Sequence, residues 1–295
     1  MLPDDPNNLY TLRIVCSLAD VEKAEALFED RSLAISSYAP PPTDTAIVEI
    51  LIEGKPEIEA LRPRLPFALS IEAEPVGNLD WIKKVAADYP PFSVGRWQIF
   101  GGAYRDKITD FSLAIQVDSS AAFGTGEHPS TRGCLELLDD VLTRAGAAAK
   151  KWRVLDMGCG SGILSMACAK AAGCHVLGVD MEEPSVEVAR ENTQINDVNT
   201  LVRIEPSLGF ANPVVGENGP YDLIMANIFA DPLCAMAADF KKHLAPGGTI
   251  ILSGMLNPQA DTVIAAQTAQ GLMLRTRKQI AEWSMLELTH ALRAI

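Results

Sequence analysis

The sequence predicts an α/β protein in which a doubly wound, mostly parallel sheet is preceded by a small α+β domain. Three observations carry that prediction. Strand and helix patterns follow one another as β-α-β-β-α-β over residues 1–75. From Cys134 onward, apolar runs of strand length alternate with helical patterns, the order of a parallel sheet covered by helices. Within that second region, an apolar strand at 153–156 runs straight into three glycines that open a helix.

The elements follow in order. Residues 9–17 alternate, with Leu12, Ile14 and Cys16 set against polar neighbours, as a half-buried strand does. Asp20 then caps a helix carrying Val21, Ala24, Leu27 and Phe28 on one face. A second strand covers 33–38, and Pro40, Pro41 and Pro42 force an extended turn. A third strand at 46–52 ends at Gly54, Pro56 opens a helix at about 57–61, and a fourth strand covers 70–75. This order predicts a ferredoxin-like domain over 1–75, a layout that presents a surface to a partner. A linker over 76–92 holds an amphipathic helix at 79–88 and closes on Pro90 and Pro91.

The remaining chain, 93–295, reads as the larger domain. Two strands at 94–100 and 111–117 lead into it. Then come strand 153–156, helix 163–172, strand 176–180, and helix 185–195 with Pro184 in its first turn. A strand at 201–205 precedes a loop rich in Gly, Pro and Asn; a fourth strand covers 222–226. The helix after it stops at Pro246-Gly247-Gly248, before strand 249–253. Helix 258–269 and strands 272–279 and 284–289 close the chain. Ligands of such sheets bind outside the carboxyl ends of the strands, where strand order reverses.

Bulk properties narrow the function. The 295 residues carry a formal net charge of -13, which argues against direct nucleic-acid binding and favours a basic protein partner. The six cysteines form no CxxC pair, and no two of the four histidines fall at i, i+4, so no metal site is expected. There is no basic-then-apolar leader and no apolar run near the ~20 residues that span a bilayer. The expectation is a cytoplasmic protein without a membrane anchor, and a monomer.

The glycine turn says which ligand the sheet holds. Gly158, Gly160 and Gly162 form G-x-G-x-G rather than the G-x-G-x-x-G that seats a pyrophosphate. Asp156, two residues before the first glycine, would repel a pyrophosphate but attract the ammonium end of a methionine moiety, directly or through water. Asp180, ending the next strand, suits a ribose diol. Together they indicate an adenosyl ligand without a diphosphate, S-adenosyl-L-methionine. On these residues, 130–256 resembles class I methyltransferases, with a Rossmann-like sheet. One departure concerns the adenine: strand 201–205 is followed by Pro206, Ser207 and Leu208 rather than by an acid.

Two more segments narrow the resemblance. Ala122-Phe123-Gly124-Thr125-Gly126-Glu127-His128-Pro129-Ser130-Thr131 is a close-approach loop entering a helix, placed to fold over the methionine end. Thr131 offers a hydroxyl and a free helical N–H there, while His128 reads as a structural or capping residue rather than a base. Asn227-Ile228-Phe229-Ala230-Asp231-Pro232-Leu233 follows the fourth strand, with Asn227 able to accept from an amine or orient the cofactor beside an apolar wall. With the Gly158 loop and Asp180, in this order, these resemble the ribosomal protein L11 methyltransferase family (PrmA) over nearly the whole chain, Asp80-Trp81 included. The resemblance implies cofactor contacts at Thr131, Gly158, Asp180 and Asn227. It also implies a basic large-subunit ribosomal protein as substrate, methylated on lysine side chains and its N-terminal amine. Phe123, Asp156, Gly160 and Gly162 join the cofactor set on their own chemistry, and Asn227 is the catalytic candidate. Asp118-Ser119-Ser120-Ala121 replaces the family's Asp-Pro-Gly, and Glu127 and Ser130 depart from its loop pattern. Glu127 adds a carboxylate that steers substrate or faces solvent.

No side chain stands out as a base, so catalysis is expected from positioning and desolvation around Phe123 and Phe229. Two other readings compete: a lysine methyltransferase of this fold acting on another protein, such as an electron-transfer flavoprotein subunit, and a non-enzymatic adenosyl-binding protein. A nucleotide-dependent oxidoreductase is disfavoured by the glycine spacing.

Overall fold

A computed structural model describes residues 9–28, 32, 34–38, 45–75, 90–117 and 128–290. The expected linker helix, and the loop at 118–127 with Phe123 and Glu127, lie outside the described residues. Contacts divide the chain into two units, Met1–Asp88 and Tyr89–Ile295.

The first unit holds β1 (Leu9–Ser17), α1 (Val21–Ala26), β2 (Ala34–Tyr38), β3 (Thr45–Glu53), α2 (Ile58–Leu61) and β4 (Ser70–Pro75). The strands pair antiparallel in the order β2-β3-β1-β4, which is the ferredoxin-like arrangement. Alternation does the sorting: Leu12, Ile14, Cys16, Val48 and Ile50 face inward against Ala24 and Phe28 of the α1 region. Asp20 stands before α1 but makes no capping bond. Its carboxylate instead accepts from Ser17 Oγ and Lys23 Nζ, each at 2.7 Å, because Asp20 ends a 3-10 turn, Leu18–Asp20, and holds helical backbone angles rather than the extended ones of a cap.

The second unit opens with β5 (Phe92–Val94), β6 (Trp97–Phe100) and β7 (Ala114–Gln116). The single strand expected over 94–100 is a hairpin, because Gly95, at φ +54°, turns the chain. The strand expected over 111–117 shrinks to three residues, and its edge is finished by a side chain. Gln116 N–H donates to Asn196 Oδ1 and Asn196 Nδ2 donates to Gln116 O, both at 2.8 Å. Trp97 anchors this small sheet, with Nε1 donating to Ala167 O at 3.0 Å.

The main sheet takes β8 (Arg153–Met157), β9 (His175–Asp180), β10 (Val202–Pro206), β11 (Tyr221–Asn227), β12 (Leu244–Leu256), β13 (Leu272–Ile280) and β14 (Trp283–His290). Its order is β10-β9-β8-β11-β12-β14-β13, parallel as far as β12 and antiparallel for the last two. The helices are α3 (Pro129–Ala145), α4 (Ile163–Ala172), α5 (Glu183–Ile195), α6 (Pro213–Asn218), α7 (Ala230–Ala235), α8 (Ala237–His243) and α9 (Ala260–Ala269). Successive β11 residues feed opposite cores: Leu223 and Met225 one, Ile224 and Ala226 the other. Each fully buried aliphatic side chain contributes roughly 1.5–3 kcal/mol.

Three sequence expectations change here. The helix expected after β11 breaks at Met236 into α7 and α8. The stretch expected as loop after β10 contains α6, capped by Asn212 Oδ1 accepting from Val214 N–H. Pro246-Gly247-Gly248 lies within β12 rather than before it. β8 and β11 are neighbours, so strand order reverses between them, and a crevice opens at their carboxyl ends.

Candidate active site

The glycine loop begins where β8 ends. Gly158 and Cys159 N–H groups both donate to Val179 O, at 2.8 and 3.0 Å, pinning the loop to the end of β9. Gly158 has φ +69° and Gly160 φ +53°, a region that side-chain-bearing residues rarely enter. A Cβ on Gly158 would also sit 2.4 Å from Ile228 Cγ2. Gly162, at the N-cap of α4, serves packing: its added Cβ would meet Ala189 Cβ at 3.3 Å.

Two acids back the loop. Asp180 Oδ2 accepts from Gly160 N–H at 2.9 Å and Oδ1 from Glu182 N–H at 3.1 Å, so this carboxylate orders the loop and faces the crevice. Asp156 is buried; its Oδ2 accepts from Ser165 N–H at 3.0 Å and Ser165 Oγ at 2.6 Å. Burial pushes its carboxyl up to about 6, against the opposing Ser165 bonds and with some help from the Asp180 charge.

Across the crevice, Asn227 closes β11. Its Nδ2 donates to Thr131 Oγ1 at 3.1 Å, while Oδ1 is buried with no hydrogen-bond partner among the described residues. Thr131 is itself buried in the first turn of α3. His128 caps that helix, accepting from Ser130 N–H at 3.3 Å, and its ring meets Trp283 edge-on with centroids 4.6 Å apart. The capping role read from sequence is the one observed.

These groups line one cleft of about 950 Å³. The structure brings Thr131, Asp156, Gly158, Gly160, Asp180 and Asn227 together there; Gly162 lies off its wall. No lysine or arginine lines it among the described residues, whereas Asp156, Asp180, Glu182 and Asp239 do. Three large apolar side chains stand open at it: Met181 at 68% exposure, Leu208 at 70% and Phe229 at 77%. Sequence reasoning missed Met181, Met236 and Trp283. The position of Met181 directly after Asp180 was a usable signal; nothing local marks Trp283. Among the described residues, no cluster of His, Cys, Asp and Glu could hold a metal, and no helix is long and apolar enough to cross a membrane.

Comparison with known proteins agrees with this geometry. A structure of ribosomal protein L11 methylase from Lactobacillus delbrueckii subsp. bulgaricus superposes with a TM-score of 0.58 at 24% identity, covering 68% of this chain and 98% of that one, which shows the shared fold. The ribosomal protein L11 methyltransferase of Bradyrhizobium diazoefficiens is 44% identical over 207 residues, 70% of this chain and 69% of that protein. That of Rhodopseudomonas palustris is 38% identical over 265 residues, 88% of each. Residues 15–291 match the family described as ribosomal protein L11 methyltransferase (PrmA), and the chain belongs to that family.

Proposed function

We propose that this enzyme transfers methyl groups from S-adenosylmethionine to lysine side chains and the N-terminal amine of ribosomal protein L11. The observation that carries the reading is the buried, unpartnered Asn227 Oδ1, set in a cleft that holds four acids and no lysine or arginine among the described residues. Such a cleft suits a sulfonium, an ammonium and an incoming amine, and disfavours a diphosphate.

The residues present fit the cofactor. Asp180 would accept from the ribose hydroxyls, Met181 and Leu208 offer apolar faces to the adenine, and Asp156 with the Gly158 loop suits the methionine end. When bound, S-adenosylmethionine supplies an electrophilic methyl group. The protein's share is to present a neutral amine in line and to exclude water. Ile228, Phe229 and Trp283 desolvate a lysine, lowering its pKa from about 10.4 toward neutrality. Asn227 Oδ1 then accepts from an amine N–H and aims the remaining lone pair.

Labelled S-adenosylmethionine, incubated with the enzyme and undermethylated ribosomes, tests this when peptide mass spectrometry locates the label. No label on L11, with label taken instead by a purified flavoprotein subunit assayed alongside, would refute the substrate. Asn227→Ala should lose turnover at saturating cofactor and substrate; full turnover would remove Asn227 from the chemistry. We assign recognition of the protein substrate to residues 1–75, joined through 76–92 to catalytic residues 93–295. Deleting 1–75 should abolish L11 methylation yet leave S-adenosylhomocysteine affinity intact, and joint loss would contradict that division. The net charge of -13 supports a basic protein rather than nucleic acid as the partner of a cytoplasmic monomer.

A further inference from the structure

We infer that Gly254 is a positioning residue for methyl transfer, fixing Asn227 through the main chain of Ile228. This rests on the reading of Asn227 as the group that meets the amine. Gly254 lies in β12, at a break in the β12–β14 register between Leu252 and Met255, and lines the cleft. Its φ is +86°, and a Cβ added there would fall 2.3 Å from Ile228 O and 2.7 Å from both Ile228 C and Ile228 N. The colliding atoms are all backbone, so no side-chain rotation relieves them. One residue earlier, Ser253 pairs with Asn227 in the parallel register and accepts from Ile228 N–H at 3.1 Å. The Asn227–Ile228 turn therefore lies directly on Gly254.

The other side of Ile228 faces the cofactor loop, its Cγ2 in the space a Gly158 side chain would need. Ile228 is thus held between two glycines, its side chain against Gly158 and its main chain against Gly254. This arrangement ties the height of Asn227 to that of the cofactor loop. The Thr131 hydroxyl then sets the amide's rotation. Gly254 has no side chain to offer a reactant and acts through Asn227, where a displacement near 1 Å costs on the order of a hundredfold in rate.

The test is L11 methylation kinetics with calorimetric S-adenosylhomocysteine binding on Gly254→Ala, Gly254→Asn and, alongside, Asn227→Ala. Gly254→Ala should lower kcat at least about tenfold, a larger factor than any rise in the S-adenosylhomocysteine Kd. Gly254→Asn tolerates positive φ yet still carries a Cβ, so it should be equally slow. Adding Ile228→Ala should not restore Gly254→Ala. Full kcat in either Gly254 variant, or recovery with Ile228→Ala, overturns the inference; so does a loss of cofactor affinity in proportion to rate. If Asn227→Ala is slow and Gly254→Ala is not, only the inference fails; if Asn227→Ala turns over normally, the underlying reading of Asn227 fails. Should the Gly254 variants not fold, Thr131→Val removes the other anchor of the amide. It should lower kcat at least about tenfold, with recovery in Thr131→Ser, and an unchanged kcat overturns the inference.

Discussion

Replacing Asp156 with asparagine should make the free protein more stable and its cofactor binding weaker, and both effects follow from the burial of one carboxyl. That carboxyl is 1% exposed, and burial raises its pKa from 3.8 to about 6. Because the folded-state value is the higher one, this group contributes stability that is complete below 3.8 and is lost as pH rises through about 6. A rise of about two in pKa, at about 1.36 kcal/mol for each tenfold change in proton affinity, amounts to ~3 kcal/mol lost by neutral pH. Asparagine carries no charge to desolvate and keeps an oxygen for the Ser165 N–H. The variant should therefore gain ~1–3 kcal/mol at pH 8 and show a flatter stability profile between about pH 4 and 6 by urea titration. Binding runs the other way. The ligand's ammonium group needs the ionised carboxylate, so the S-adenosylhomocysteine Kd should rise about tenfold for each pH unit below about 6 in the native protein. Isothermal titration from about pH 5 to 8 reads this, and the slope should vanish in Asp156→Asn. A native Kd that is flat over that range, or a slope that persists in the variant, would refute the argument.

Other consequences are as specific. Asp180→Ala removes the acceptor of both the Gly160 and Glu182 N–H groups, so S-adenosylhomocysteine affinity should fall roughly 10- to 100-fold in the same titration. Glu287 of β14 is 1% exposed and paired with Arg144 and, at 3.6 Å, Arg275, while the Arg144 side chain is 40% exposed. Arg144→Ala leaves the buried carboxylate only the longer Arg275 pairing and the Thr276 hydroxyl at 3.3 Å, and should cost ~2–4 kcal/mol in urea denaturation, well above isosteric Glu287→Gln, whose orphaned arginine reaches water. Equal costs would contradict this. Phe229→Ala should move the pH of half-maximal kcat upward by about one unit, because a better-hydrated lysine keeps its proton longer; a downward shift would exclude desolvation by Phe229.

Sequence revealed what local stereochemistry or short-range spacing enforces. The turn at Gly158 and Gly160 was readable because left-handed backbone selects glycine, and Asp180 because it ends the strand beside that turn. The alternation of Leu12, Ile14 and Cys16 marked β1 to the residue. What depends on long-range packing was hidden. Nothing in the sequence singles out Gly254, the residue after the strand expected over 249–253, and only the fold places Ile228 over it. Trp283 reaches the cleft from the last hairpin, and periodicity assigns a face of a strand without naming what that face meets. Asp156 was readable as an acid near the ligand, but its burial and its Ser165 partner came from α4 folding back across β8. The hairpin at β5 and β6 resembles one strand in the sequence because both arms are apolar and the Gly95 turn is short.

The cleft must attract an ammonium and then deprotonate it, and acidic groups help the first task while opposing the second. The geometry separates the two. The acids at the floor are already engaged: Asp180 accepts from two backbone N–H groups and Asp156 from Ser165, which spends much of their charge within the protein. Their field still draws a cation inward at long range, where it is weakly screened in a concave site. On the proposed reading, the amine close to the transfer meets Asn227, Ile228 and Phe229, a neutral acceptor and two apolar side chains. Phe229 is 77% exposed in the free protein, so its desolvating power is exerted only once substrate covers it. On that reading, deprotonation is thereby tied to docking: the ammonium gives its proton to bulk water as the site desolvates, and the oxygen of Asn227 orients the neutral amine that remains.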